Sequence, residues 1–103
     1  IRYVIAQEGD TPELIAREID LNVFILNRFN DFDSHTELKP GDLVYLQPKR
    51  SKANAADYTV QEGDTWFSVS QKFGIKLKQL RKINASVGSG EPAPGAILKL
   101  KKA

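Results

Sequence analysis

The chain contains no cysteine, no methionine and a single histidine in 103 residues. Without thiols no disulfide can staple the fold, and one imidazole cannot complete a metal cage. Neither a metal site nor a cofactor is therefore expected. No run approaches the ~20 apolar residues that cross a bilayer, so no membrane insertion is expected, and no signal peptide is visible. A chain without an initiator methionine reads as a piece of something longer. There is also no phosphate loop or other nucleophile motif, and catalytic residues are expected to be none.

What the sequence does contain is itself, twice. Gln7 to Thr11 (QEGDT) return unchanged as Gln61 to Thr65, and the same offset aligns Leu26 with Leu80, Asn30 with Asn84 and Glu37 with Glu91. It continues through Pro40-Gly41 with Pro94-Gly95 and Leu46 with Leu100. A register held this long without a gap indicates a duplicated unit. The expected division is unit 1 over 1–48, a linker over 49–57 within the polar stretch PKRSKANAAD, and unit 2 over 58–103. Units of under roughly 50 residues bury little surface, so each must depend on a compact apolar core.

The net charge of +2 hides a polarity. Residues 1–48 hold four Lys/Arg against nine Asp/Glu, and residues 49–103 hold eleven against four. A solvated basic face is the plain explanation. Two sharper ones are attraction between the halves and contact of the basic half with an anionic polymer.

Each unit opens with a strand-like segment, 3–6 or 58–60, leading into a glycine turn. The tyrosines of the two segments lie one residue out of the common register, which predicts an irregularity in the first strand. Thr11 and Thr65 suit a helix N-cap, and Pro12 falls where a missing N–H does no harm. Ile15 with Ile19, and Trp66 with Val69 and Phe73, mark the buried faces of the first helices. Gly74 closes one of them in a left-handed conformation, with Asp20 in its place in unit 1. A second helix carries Val23, Leu26 and Phe29, or Leu77, Leu80 and Ile83. Asn30 and Asn84 are expected to end it as left-handed residues. DLVYLQ and AILKLK read as the closing strands. The fold class is α+β, in the order strand, helix, helix, strand, with two short helices on a two-stranded antiparallel sheet in each unit.

This order resembles the LysM domain, as do YVIAQEGDTPELIAREIDL…LNRFN…KPGDLVYLQP and YTVQEGDTWFSVSQKFGI…LRKIN…PGAILKLK. The resemblance covers about nine-tenths of the chain. It implies binding of N-acetylglucosamine-containing glycans, peptidoglycan or chitin, in a shallow groove between the loop before the first helix and the loop after the second. Carried onto this chain, the walls are Gly9, Asp10, Thr11 and Pro12 facing Asn30, Asp31 and Phe32. In unit 2 they are Gly63, Asp64, Thr65 and Trp66 facing Asn84, Ala85, Ser86 and Val87. Loop amides beside a small apolar recess could match the donor, acceptor and methyl of an acetamido group, with glycine allowing close approach and helix N-terminal N–H groups donating. The turn and N-cap would by themselves account for Gly-Asp-Thr. Family members follow that motif with an aliphatic residue and then an aromatic one. Trp66-Phe67 keeps the bulk and Pro12-Glu13 does not, which makes unit 1 the degenerate groove. The spacing of Trp66 favours the core over stacking on a sugar, whereas Phe32 is the better candidate for an exposed contact.

Phe24 and Ile25 lie off the buried stripe of their helix and stand where unit 2 has Lys78 and Gln79. They predict a patch that packs on unit 2, the linker or a parental domain. The acids of Glu-Gly-Asp suit a helix start and need no catalytic role, and His35 reads as a surface residue. The fragment is thus expected to be a non-catalytic module that targets an attached cell-wall hydrolase to peptidoglycan in the envelope or outside the cell. VYLQPKR ahead of a second unit resembles the C-terminal region of some bacterial glucosaminidases. The competing reading is a protein–protein docking or envelope-structural module that has lost sugar binding. Nucleic acid is not expected as a partner, because no aromatic residues interleave with the Lys/Arg.

Overall fold

Three-residue strands make too few hydrogen bonds to persist alone, and both sheets of this chain are of that kind. The computed structural model describes residues 1–101. In unit 1, β1 (Tyr3–Ile5) pairs antiparallel with β2 (Leu43–Tyr45), placing Val4 opposite Val44. Between them run α1 (Pro12–Glu18) and α2 (Val23–Asn30). Unit 2 repeats the order with β3 (Asp57–Thr59), α3 (Trp66–Phe73), α4 (Leu77–Ile83) and β4 (Ile97–Lys99). Its register, Tyr58 opposite Leu98, is that of unit 1 displaced by the repeat.

The helices hold the ribbons by packing on one face. Unit 1 buries Ala6, Ile15, Ala16, Leu26 and Val44. Unit 2 buries a larger set, Val60, Trp66, Val69, Ile75, Leu80, Leu98 and Leu100. Leu26 and Leu80, one repeat apart, are both fully enclosed. Truncating either to alanine would cost about 2–5 kcal/mol, a large fraction of what so small a fold possesses.

Several sequence expectations are corrected. The first strand is regular: β1 and β3 have corresponding bounds, and the tyrosines simply occupy opposite faces. Tyr3 is more than half exposed, whereas Tyr58 turns inward with its ring 5.1 Å from that of Phe73. Ile19 is not buried with Ile15, because α1 ends at Glu18 and Ile19 is its C-cap, 38% exposed. The left-handed residue after α2 is Asp31 (φ 57°), not Asn30, and Asn84 sits at φ −110°. Asp20 does take the left-handed conformation of Gly74, at φ 55° against 67°.

The segment expected as a linker belongs to the packed structure. The two compact units divide between Lys49 and Arg50. Arg50 donates its N–H to the Gly74 carbonyl and accepts from Lys76, each at 2.8 Å. Ala53 and Ala56 exchange backbone hydrogen bonds with Leu100. A polar composition gave no hint of this, since the bonds are all main-chain and need no particular side chain.

Candidate functional site

The turn before each first helix is built identically. Asp10 folds back so that its carboxylate accepts the Gln7 N–H at 2.8 Å, and Asp64 does the same with Gln61 at 3.0 Å. Gly9 and Gly63 sit at φ 87° and 88°, where an L-residue is strained, and a methyl group added to either would meet no atom within 4 Å. The backbone twist therefore demands glycine, and the space above it is open. Among the described residues the N–H groups of Gly9 and Gly63 have no hydrogen-bond partner. Thr11 and Thr65 then cap the helices, accepting from Leu14 and Ser68 at 3.1 and 3.0 Å. Ser68 returns the bond by accepting the Thr65 N–H, which completes a capping box in unit 2. Leu14 cannot do so in unit 1.

Asp64 is further enclosed by polar groups. Its carboxylate accepts the Tyr58 hydroxyl and, at 3.1 Å, the Ser68 hydroxyl. The Tyr58 bond first, then the Gln61 N–H and the Ser68 hydroxyl with Lys72 nearby, hold the Asp64 carboxyl below the usual carboxylate range. The same bond pushes the Tyr58 phenol up. Lys72 completes the cluster, its ammonium 4.8 Å from the centre of the Tyr58 ring. Unit 1 has Val4, Leu14 and Glu18 at these positions, so Asp10 has none of those donors.

On the far wall the asparagines face inward. Asn30 is fully buried and Asn84 nearly so. Each donates to the carbonyl four residues before it, Leu26 or Leu80, and exchanges two bonds with the backbone of the second strand at Tyr45 or Lys99. Their side chains tie helix to strand. Phe32, expected as an exposed contact, is half-buried against the unit 1 core. Asp31 is ion-paired at 2.6 Å with Lys49, whose side chain is wholly buried. Burial pushes the Lys49 ammonium down, partly offset by Asp31. Pro12 and Trp66 are buried as well. What remains exposed on the far wall of unit 2 is a 3-10 turn, Ala85–Val87, with Val87 40% exposed.

In unit 2 the two walls are fastened to each other. The Trp66 indole N–H donates to the Gly90 carbonyl at 2.8 Å, and its backbone N–H donates to the Glu91 carboxylate at 3.0 Å. Arg81 lies 5.8 Å from the Trp66 ring and donates to the Ser89 carbonyl at 2.9 Å. The first N–H groups of α3 are thus occupied within the protein, contrary to the expectation that they face a ligand. Unit 1 cannot copy the latch: Glu37 stands where Glu91 does, but Pro12 has no N–H to offer. Its loop is held instead by Asp33, which accepts the His35 N–H at 2.8 Å and the Thr36 hydroxyl at 3.2 Å. These bonds keep the Asp33 carboxyl low and place His35 in an exposed turn.

Sequence reasoning missed Tyr58, Arg81, Gly90 and Glu91. The repeat had already aligned Glu37 with Glu91, and the loss of a donor at Pro12 was the signal that could have assigned Glu91 its role. No local pattern marked Arg81. Among the described residues there is no cluster of metal-ligating side chains, and no helix is long and apolar enough to cross a membrane.

The geometry leaves an open turn with a donor at Gly63, a small apolar contact at Val87, and two loops held together by Trp66. The LysM domain family matches residues 4–46 and again 58–101. No curated protein matches the chain. Among solved structures it is similar to the spore cortex-lytic enzyme SleL of Bacillus cereus, at 22% identity and a TM-score of 0.42 over 99% of this chain and 23% of that one. It is also similar to SleL of Bacillus megaterium, at 22% identity and a TM-score of 0.40 over 98% and 22% of the two chains. The chain thus spans less than a quarter of the length of those enzymes. LysM domains are in general binding modules for peptidoglycan and related N-acetylglucosamine glycans, found in cell-wall-associated or secreted proteins. With both halves matched and both folded strand-helix-helix-strand, this chain belongs to the LysM family as two domains in tandem.

Proposed function

We propose that the chain is a non-catalytic module that binds N-acetylglucosamine-containing glycans of peptidoglycan, with unit 2 as the principal site, and targets an attached cell-wall hydrolase to its substrate in the envelope or outside the cell. The observation that carries this reading is the Trp66 latch. It ties the start of α3 to Gly90 and Glu91, in the loop that follows the Ala85–Val87 turn, while a methyl group added at Gly63 would meet no atom within 4 Å, which supports reading the two turns as the walls of one recess. A donor at Gly63 can meet the acetamido carbonyl, and Val87 can meet its methyl group. Asp64 and Thr65 shape the wall through the turn and the cap, while Asn84 sets the position of Ala85 and Ser86.

Unit 1 contributes through proximity. Its turn repeats that of unit 2 at Gly9, Asp10 and Thr11, but the Pro12 and Phe32 walls lack the latch. Two weak sites on one chain reach effective concentrations of about a millimolar on a shared polymer. Calorimetric titration with N-acetylglucosamine oligomers of rising length is the test, with affinity expected to increase with length. Absence of heat at millimolar ligand for every length would overturn the reading.

A second reading, a docking or envelope-structural module without sugar binding, draws on one observation. Phe24 is 74% exposed and Ile25 38%, a large apolar pair at the start of a short helix. If that patch is the functional surface, Phe24→Lys abolishes docking to the rest of the parent protein, and oligosaccharide produces no heat in either variant.

A further inference from the structure

The cations at the start of α4, Lys76 and Lys78, break local rules that the fold does not require them to break, whereas Arg81 and Lys82 lie in the last turn, where positive charge suits the dipole. Lys76 occupies the helix N-cap and makes no side-chain capping bond. A positive charge at a helix N-terminus opposes the helix dipole. Lys78 and Lys82, four apart, repel across one turn. All four basic residues, Lys76, Lys78, Arg81 and Lys82, are exposed. Among the described residues, no Lys or Arg of unit 2 forms an ion pair, and the one pair described is Lys49 with Asp31.

Unit 1 shows what the same helix looks like without them. Asn22 replaces Lys76 and caps α2 properly, accepting the Phe24 N–H at 2.8 Å. Phe24 and Asn27 replace Lys78 and Arg81, and only Arg28 keeps the charge of Lys82. Violations of local preference confined to one copy of a duplicated fold mark a surface shaped by a ligand rather than by folding.

The row also has a direction. Arg81 stands at the groove, beside Trp66 and bonded to the Ser89 carbonyl. Lys78 and Lys76 lie toward the other end of α4, a span of about 10 Å for seven residues at ~1.5 Å rise each. Arg50, hydrogen-bonded on either side of Ile75, adds an exposed cation at that end. We infer that the exposed face of α4 is an anion-reading flank of the unit 2 groove, which takes the carboxylates of peptide substituents on an N-acetylated glycan. This deepens the glycan reading and rests on it. The groove engages the sugar, and the flank discriminates peptide-bearing peptidoglycan strands from neutral chitin-type strands.

The chain is titrated with three ligands of equal sugar count: a peptidoglycan oligosaccharide carrying free peptide carboxylates, the same compound with those carboxylates amidated, and a neutral N-acetylglucosamine oligomer. The free-carboxylate form is expected to bind about three- to tenfold tighter than either neutral ligand at low salt, the scale of a few solvent-exposed charge pairs. That advantage is expected to disappear in 0.3 M salt, where screening extends only about 6 Å. It should also vanish in Lys78→Gln/Lys82→Gln, whose affinity for the neutral oligomer is unchanged. Equal affinity for charged and amidated ligands overturns the flank and leaves the glycan reading standing. Equally tight binding of polyglutamate, which carries no sugar, overturns it by making α4 an unselective charged surface. Failure of all three sugars removes the glycan reading and this inference with it.

Discussion

Asn30 and Tyr45 act as a strand pair without both being in a strand. The Asn30 side-chain amide donates to the Tyr45 carbonyl at 2.8 Å and accepts its N–H at 2.6 Å, an exchange that reproduces a backbone ladder. Asn84 and Lys99 repeat it at 2.8 Å for both bonds. Asn84→Ala leaves buried carbonyls and an N–H without partners, and is expected to cost unit 2 about 2–4 kcal/mol. Urea unfolding followed at the single tryptophan, Trp66, measures this. A loss below about 0.5 kcal/mol would show the pair to be incidental.

The latch gives a comparison inside one molecule. Glu91→Ala removes a charge-assisted bond to a helix N-terminus and is expected to lower unit 2 stability by about 0.5–2 kcal/mol. Glu37→Ala, facing a proline without an N–H, is expected to change unit 1 by less. Amide hydrogen exchange within each unit reads both effects, with faster exchange expected at Ser68 and Val69 for the first variant. Equal effects in the two units would contradict the assigned role of Glu91.

Asp64 makes unit 2 acid-sensitive. Its folded carboxyl lies below the unfolded value, chiefly through the Tyr58 hydroxyl. The stability this contributes is present above the unfolded pKa of about 4 and is lost as pH falls through the folded one. Tyr58→Phe is expected to move the Asp64 titration upward, read from its carboxyl carbon shift, and to narrow the difference in unit 2 stability between pH 6 and pH 3. An unmoved titration would remove Tyr58 as the main cause.

These relationships show what the sequence could and could not disclose. The duplication carried the fold, since the repeat aligned the turns, caps and strands that the structure contains. Thr11 and Thr65 were legible because a cap is a local bond between near neighbours. Asn30 and Asn84 were assigned to the helix end correctly but for the wrong reason. A bond to a strand fifteen residues away leaves no periodic trace, whereas a left-handed asparagine is a familiar local signal. Residues 49–57 read as linker because their side chains are polar or small, whereas the bonds that tie Arg50, Ala53 and Ala56 into unit 2 are main-chain. The groove walls proved harder still, since Pro12, Trp66, Asn30 and Asn84 face the interior and the latching residues Gly90 and Glu91 lie beyond the motif.

The buried pair of Lys49 and Asp31 has no equivalent pairing at Ala85 in unit 2. Asp31→Ala leaves an enclosed ammonium without its 2.6 Å partner and is expected to cost about 2–4 kcal/mol. Lys49→Met replaces the charge with an apolar chain of similar length and is expected to be neutral or stabilising. Because burial lowers the folded Lys49 pKa, the penalty for enclosing its charge is full below that folded value and declines as pH rises through it. Unfolding of the two variants from pH 7 to pH 10 checks the order, and a larger loss in Lys49→Met than in Asp31→Ala would contradict it.

The central claim is that a glycan lies between the Gly63 turn and the Ala85–Val87 turn, held together by Trp66. Amide chemical-shift mapping during titration with an N-acetylglucosamine oligomer tests it residue by residue. The account predicts saturable shifts at Gly63, Asp64, Ala85, Ser86 and Val87, with smaller shifts at Gly9 and Thr11. Shifts absent at millimolar ligand, or confined to Phe24 and Ile25, would contradict it.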